Sequence, residues 1–254
     1  MTNLKTFCKD TELRLLIDAD MFIYKAAVVS EEETHWGNDV WSLHSDLHKA
    51  RKLISTQVKN AKSRLDIDKV VMCISDKENF RREVHKDYKS NRKGSRKPVG
   101  YKSLVQWVRS VYDSLTVPTL EADDVMGILA TAPKSRSIIV SDDKDMKTIP
   151  GKLFRPMNNE LLDISDEEAL KSFFTQALIG DPVDGYKGCP RVGQITAEKI
   201  LGNRPEWSQV AAAYANADIS EKDAIVQARL ARILHYKDYN FRSKKPKLWK
   251  PKKR

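Results

Sequence analysis

Three short apolar runs constrain this chain more than any other feature: LRLLID at residues 13–18, KVVMCIS at 69–75 and SIIVS at 137–141. Each has the length and composition of a strand buried on both faces. Each also runs out into acid: Asp18, Asp76, and the pair Asp143 and Asp145. Helical patterns lie between them. ADMFIYKAAV leaves the first run as a helix. Residues 41–65 place Leu43, Leu47, Ala50, Ile54, Val58, Ala61 and Leu65 at helical spacing, which predicts one long amphipathic helix. A further helix passes through Leu104, Val105 and Val108, and another spans 121–130. Strands alternating with helices predict an α/β fold, a mainly parallel central sheet flanked by helices.

In such a sheet the ligand crevice lies outside the carboxyl ends of the strands. The strand-end acids therefore converge, beside the helix opened by LEADDVMGIL with its Glu121, Asp123 and Asp124. Like charges packed together repel and favour protonation unless something neutralises them. A hard divalent cation with oxygen ligands does so, and Mg2+ binds through a few carboxylates plus substrate phosphates. Helix capping or solvation at a loop end accounts for any one of these acids, but not for the set.

The rest of the charge has the opposite sign. The chain of 254 residues carries 45 Lys and Arg against 35 Asp and Glu, a net charge of +10, which favours a polyanionic partner. Lys and Arg concentrate at 80–97 and 241–254, interleaved with Phe80, Tyr88 and Trp249, aromatic rings able to stack on bases. The tail runs through Pro246 and Pro251 and is expected to hold little regular structure. No apolar run is long enough to span a bilayer, and no signal-peptide pattern opens the chain. The three cysteines are far apart and form no CxxC, so free thiols in a reducing compartment are expected. These features read as a soluble cytoplasmic protein with no membrane partner. His44 and His48, four apart, have no third ligand nearby in sequence and are expected to be surface residues.

Beyond about residue 165 the pattern becomes helical. Residues 166–180 read as a helix ending at Gly180, and GDPVDGYKGCPRVGQITAEKIL follows. Asp181 and Asp184 stand three apart, KGCPRVG is a Gly- and Pro-rich turn, and QITAEKIL is a second helix. Such a helix–hairpin–helix at about 180–201 can offer backbone N–H groups to phosphate. The expected division is a core at 1–165 and a helical DNA-binding region at 166–254 that includes the basic tail.

LLIDAD, CISDKENFRREVHKDYKSNRK, LEADDVMG, VSDDKDMKTIPG and GDPVDGYKGCPRVGQITAEKIL occur in order. Together they resemble the flap endonuclease and 5′-nuclease superfamily. PVGY, DKDMKTIP, DGY and ARILHYKDYNF resemble more narrowly the 5′→3′ exonucleases of T7-like bacteriophages. The likeness runs over almost the whole chain. It implies a PIN-like nuclease core with a helical arch at about 80–105, and two-metal phosphodiester hydrolysis. One metal would be held mainly by Asp18, Asp76, Glu121, Asp123 and Asp124, some of them through water. The other would be held by Asp143, Asp145, Asp181 and Asp184, with Asp123 between the two. Two Mg2+ ions are implied, with Mn2+ able to substitute. Ions roughly 4 Å apart activate a water and stabilise both attacking and leaving oxygens.

By the same resemblance Lys89 and Arg92 contact the scissile phosphate and Arg81 fits the FR motif as a DNA contact, while Tyr88 either stacks on a base or packs the arch. GCPRVG matches a hairpin that grips duplex backbone, which makes Lys187, Gly188, Arg191 and Gly193 DNA-binding candidates. In relatives the hairpin often holds K+ through carbonyl oxygens. This sequence has Arg191 where the family commonly has Gly; if that position needs a positive φ, Arg is unfavourable there. The implied partners are double-stranded DNA, 5′ ends or flaps, and RNA–DNA hybrids, met by a monomer in the infected bacterial cell. The implied roles are primer removal, host DNA breakdown and recombination in phage replication. Two readings compete. DADMF could be the DxD of a haloacid-dehalogenase phosphotransferase with an Asp nucleophile, which leaves EADD and GDPVDG without a role. A non-catalytic nucleic-acid-binding protein of the same fold would not need all nine acids.

Overall fold

The computed structural model of the chain describes residues 3–92 and 94–252. A short helix α1 (Leu4–Lys9) precedes strand β1 (Arg14–Asp18), which runs directly into helix α2 (Ala19–Val29). Strands β2 (Glu31–His35) and β3 (Trp41–Ser45) form a separate antiparallel hairpin before helix α3 (Leu47–Leu65). Strand β4 (Val70–Cys73), helix α4 (Arg81–Val84), helix α5 (Tyr101–Val111), strand β5 (Ser114–Leu115) and helix α6 (Ala122–Ala130) follow. Strand β6 (Ser137–Val140), the antiparallel pair β7 (Gly151–Arg155) and β8 (Glu160–Ile164), and helix α7 (Asp166–Ile179) lead to α8 (Gln194–Leu201), α9 (Trp207–Ala215) and α10 (Glu221–Ala231). A two-residue pairing of β9 (Tyr239–Asn240) with β10 (Lys245–Pro246) closes the chain.

The main sheet has six strands in the order β5-β4-β1-β6-β7-β8, parallel throughout except for the edge strand β8. Successive side chains of β1 face opposite sides. Leu16 joins Val71, Ile139 and Leu153 on the face covered by α1 and α6. Leu15 and Ile17 join Met72, Ile138, Val140 and Phe154 beneath α2, α3 and α5. All five β1 residues are buried, the apolar Leu15–Ile17 as the run required and the charged Arg14 and Asp18 at its ends as well. A third apolar cluster holds α7, α8, α9 and α10 together. The expected division at 165 and 166 falls on the capping box that starts α7. The chain after α10 nevertheless returns to the first layer, where Ile233, Leu234 and Tyr239 pack with α6. Gly127 permits this approach, since a Cβ there would stand 2.5 Å from the Leu234 carbonyl oxygen.

The structure differs from the sequence reading in four places. The helix expected over 41–65 begins at Leu47, capped by Asp46, and residues 41–45 are strand. His44 thus lies on the hairpin, beside Glu32, and only His48 is helical. The strands at 114–115, 151–155 and 160–164 were not anticipated. The arch segment is mostly turns around α4 and a single 3-10 turn at Ser90–Arg92, folded onto the loop carrying Asp181 and Asp184. There Lys89 N–H donates to the Asp184 carbonyl, and the Asn91 amide donates to the carbonyls of Pro182 and Val183.

The basic tail is also not loose. The Trp249 ring packs 4.8 Å from Trp207 and 5.4 Å from Phe173, and Arg229 donates to its carbonyl. Phe80 and Tyr88 are buried as well. The three rings able to stack on bases are therefore packed within the protein, Tyr88 in the arch as the sequence also allowed.

Candidate metal and nucleic-acid site

The site is assembled by topology. Strand β1 lies between β4 and β6, so Asp18, Asp76 and Asp143 leave three neighbouring strand ends on the same edge. Asp18 is the N-cap of α2: it accepts from the Met21 N–H at 3.1 Å and from the Ser141 hydroxyl at 2.9 Å. Asp143 caps the 3-10 turn Lys144–Thr148 by accepting the Asp145 N–H. Glu121 caps α6, and Asp123 and Asp124 occupy its first turn, where the positive end of the helix dipole favours them. Asp181 sits just past α7 in a tight turn closed by Tyr186, and accepts the N–H groups of Val183 and Asp184.

Electrostatics link these groups. Burial, reinforced by Asp20 and Asp143, pushes the Asp18 carboxyl up to about 6. Burial pushes Asp145 up to about 7, with Asp143, Asp181 and Asp184 adding repulsion. Asp123 is raised well above the usual carboxylate range by burial and by Asp18, Asp143 and Glu121. Asp123 therefore feels acids of both expected groups. Glu121 goes the other way: Lys89 and Arg81 outweigh its burial and hold it at about 2.

Among the described residues no three acidic, His or Cys side chains close into a ready-made metal cage. Cationic side chains lie between them. Lys89 bonds to Glu121 and stands 3.4 Å from Asp184, Arg92 donates to Asp184 at 2.7 Å, and Lys144 approaches Asp181 at 3.3 Å. The donors fit a hard divalent cation on two grounds. They are all carboxylate oxygens, and burial, reinforced by neighbouring acids, raises the Asp18 and Asp145 carboxyls, a penalty on their charged forms that a bound cation would offset.

Several expected assignments change. Asp124 is 0% exposed, and Arg81 clamps both its oxygens at 2.7 and 2.8 Å. It also accepts the N–H groups of Leu234 and Glu121. Its lone pairs are engaged by the protein, so it is not a direct metal ligand. Arg81, 2% exposed, donates also to the carbonyls of Leu230 and Arg232, so it ties the chain after α10 to α6 and is not a DNA contact. Tyr88 is buried, with its hydroxyl donating to Glu121 and Asp184, so it braces the arch against the acids and does not stack on DNA. Gly188 is buried where a Cβ would collide with Gly180, and its N–H donates to Gln227. It serves close packing, not contact with a ligand.

Other residues keep their surface. Lys187, Arg191 and Gly193 are exposed on the hairpin before α8. Arg191 does require a positive φ, 61°, and adopts it. Asp76 accepts the Thr119 N–H with one oxygen. Asp20 is engaged by the Ser75 N–H and the Tyr101 hydroxyl, which removes the second acid of the phosphotransferase reading. Asp142 pairs with Lys25 and accepts the Met157 N–H, outside the cluster.

Sequence reasoning missed Ser141, Lys144 and Gln176, which hold Asp18, Asp181 and Asp145 respectively. The first two lie in or beside the DDKD motif and could have been found there. Gln176 has no such signal, being 31 residues from its partner.

The model of the family described as 5′-3′ exonuclease, N-terminal resolvase-like domain, matches residues 14–174. The exonuclease of Escherichia phage T7 is 31% identical over 98% of this chain and 96% of its own length. The exodeoxyribonuclease of Enterobacteria phage T3 is 30% identical over the same shares. Among solved structures, the T5 D15 protein shares the fold with a TM-score of 0.62 at 14% identity, over 87% of this chain and 89% of that one. The chain belongs to the 5′-3′ exonuclease family of nucleases.

Proposed function

We propose that the chain is a divalent-cation-dependent 5′→3′ exonuclease acting on duplex DNA and on the RNA of RNA–DNA hybrids, with some action on 5′ flaps. The observation that carries the reading is the meeting of strand-end acids, the first turn of α6 and the 181–184 turn under the arch cations Lys89 and Arg92. Asp18, Asp76, Glu121 and Asp123 would hold one Mg2+, and Asp143, Asp145, Asp181 and Asp184 the other, with Mn2+ able to substitute. When bound, such a pair of ions supplies a water nucleophile at neutral pH and stabilises charge on the phosphodiester oxygens. A relative of the same fold, the T5 D15 flap endonuclease, has been solved in a pseudo-enzyme-product complex with DNA and metal ions.

The chain's own residues supply the rest. Lys89 and Arg92 move from carboxylate partners to the scissile phosphate, where each donates to an oxygen gaining charge. Asp124 and Arg81 fix the start of α6 and so orient Glu121. Lys187, Arg191 and the Gly193 N–H at the mouth of α8 grip duplex backbone, whose phosphates the net charge attracts. Arg191 adopts the left-handed backbone that the turn needs, which leaves the hairpin in a conformation whose carbonyls would hold K+. The protein acts as a monomer in phage replication and recombination within the infected host's cytoplasm.

Sizing the products from a 5′-labelled duplex, a 5′ flap and an RNA–DNA hybrid with Mg2+ tests this. Short products released from the labelled 5′ end of duplex and hybrid are expected. Internal cuts alone, or no cleavage, would refute it.

A further inference from the structure

Gln176 lies in the last turn of α7, on the wall of a cavity of about 580 Å3 bounded also by Lys144, Lys147, Thr175 and Gln194. Its Nε2 donates to Oδ1 of Asp145. Asp145 stands among Asp143, Asp181 and Asp184, each of which repels it, with Lys144 nearby as a partial counter-charge that makes no hydrogen bond to it. A cation placed against it would neutralise it and compete with any metal. A neutral amide instead fixes one carboxylate oxygen and leaves the negative charge in place. The amide orientation is also determined: turned over, its carbonyl oxygen would face Asp145 Oδ1, acceptor against acceptor. In the orientation present, Oε1 is buried and no protein group donates to it. The side chain is thus held by Asp145 at one end and has an acceptor to spare at the other. Water in the hydration shell of a divalent cation is a strong donor, and Mg2+ usually keeps several such waters.

We propose that Gln176 is a positioning residue for the second divalent cation: its Nε2–H orients Asp145, and its Oε1 accepts from water in that cation's shell. The inference rests on the two-cation reading above. Residues that orient a metal ligand typically change metal affinity 10- to 100-fold when removed.

The test is Mn2+ binding to DNA-free protein by calorimetry, using wild type, Gln176→Met and Asp145→Asn. Methionine keeps the length and packing of glutamine and removes both polar atoms. The wild type should bind two ions. Gln176→Met should weaken one of them at least tenfold, the same one that Asp145→Asn weakens, and leave the other and the melting temperature unchanged. Wild type that binds fewer than two ions would overturn the two-cation reading and this role together. Wild type that binds two, with Gln176→Met indistinguishable from it, would overturn the role of Gln176 alone. Equal weakening of both ions with a lowered melting temperature would show Gln176 to be a packing residue.

Discussion

At the scale of single residues the site is defined by which carboxylates are free. Asp124 and Asp123 are adjacent in sequence, yet Asp124 is clamped by Arg81 and Asp123 is left among other acids. The sequence told that acids would gather but not which were engaged, because Arg81 lies 43 residues away and its ion pair depends on the returning chain after α10. Lys89 was legible from its motif, and its contacts with Glu121 and Asp184 place it inside the acidic cluster. Lys89→Ala should slow single-turnover cleavage about 100-fold or more, the range for one preorganised donor, with little change in the Kd for duplex. Normal chemistry with a raised Kd would make Lys89 a general phosphate contact. The raised carboxyls give a second expectation. Asp18 and Asp145 titrate near 6 and 7 and are neutral below those values, so a cation must displace their protons as pH falls through that window. Mn2+ titrated at pH 6.5 in buffers of different ionisation enthalpy should release protons, and affinity should drop between pH 8 and 6. A pH-independent affinity without proton release would contradict the burial and repulsion described here.

At the scale of elements, the buried strands were legible because their apolar runs are unbroken, and so was α6, because its acids immediately precede an apolar stretch. The hairpin β2–β3 was not legible. Most of its residues are exposed, so no alternation of apolar and polar residues marks it, and Leu43 happens to continue the helical spacing of α3. Strand β7 and the edge strand β8 were missed for a related reason: they carry Lys, Arg, Glu and Asp on solvated positions. The tail's want of regular structure was legible from Pro246 and Pro251, but the docking of Trp249 was not, because its partners Phe173 and Trp207 lie in α7 and α9. Trp249→Ala should lower stability by about 2 kcal/mol, as expected for a half-buried aromatic, while single-turnover chemistry at saturating duplex is preserved. Unchanged melting with a flattened salt dependence of binding would restore the tail to a DNA-contacting role. Arg81→Met leaves Asp124 buried and unpaired, which should cost about 3–5 kcal/mol in a denaturant melt. A loss below about 1 kcal/mol, the range of exposed pairs, would show that this clamp does not join α6 to the returning chain.

At the scale of the whole molecule, charge is arranged in two layers. A chain of net charge +10 surrounds a small cluster of acids at the carboxyl edge of its sheet. The outer layer attracts phosphate, and the inner layer resists it until cations intervene. The central claim is that the acids exist to hold those cations. The most direct test is single-turnover cleavage of a 5′-labelled duplex by wild type and Asp123→Asn across a Mg2+ titration, with duplex binding followed in parallel. The account predicts cleavage by wild type that rises with Mg2+ and vanishes in EDTA, and nearly none by Asp123→Asn. It also predicts that Asp123→Asn binds duplex as well as wild type or better, because less negative charge faces the phosphates. Cleavage by Asp123→Asn at near wild-type rate with Mg2+, or wild-type cleavage that persists in EDTA, would contradict it.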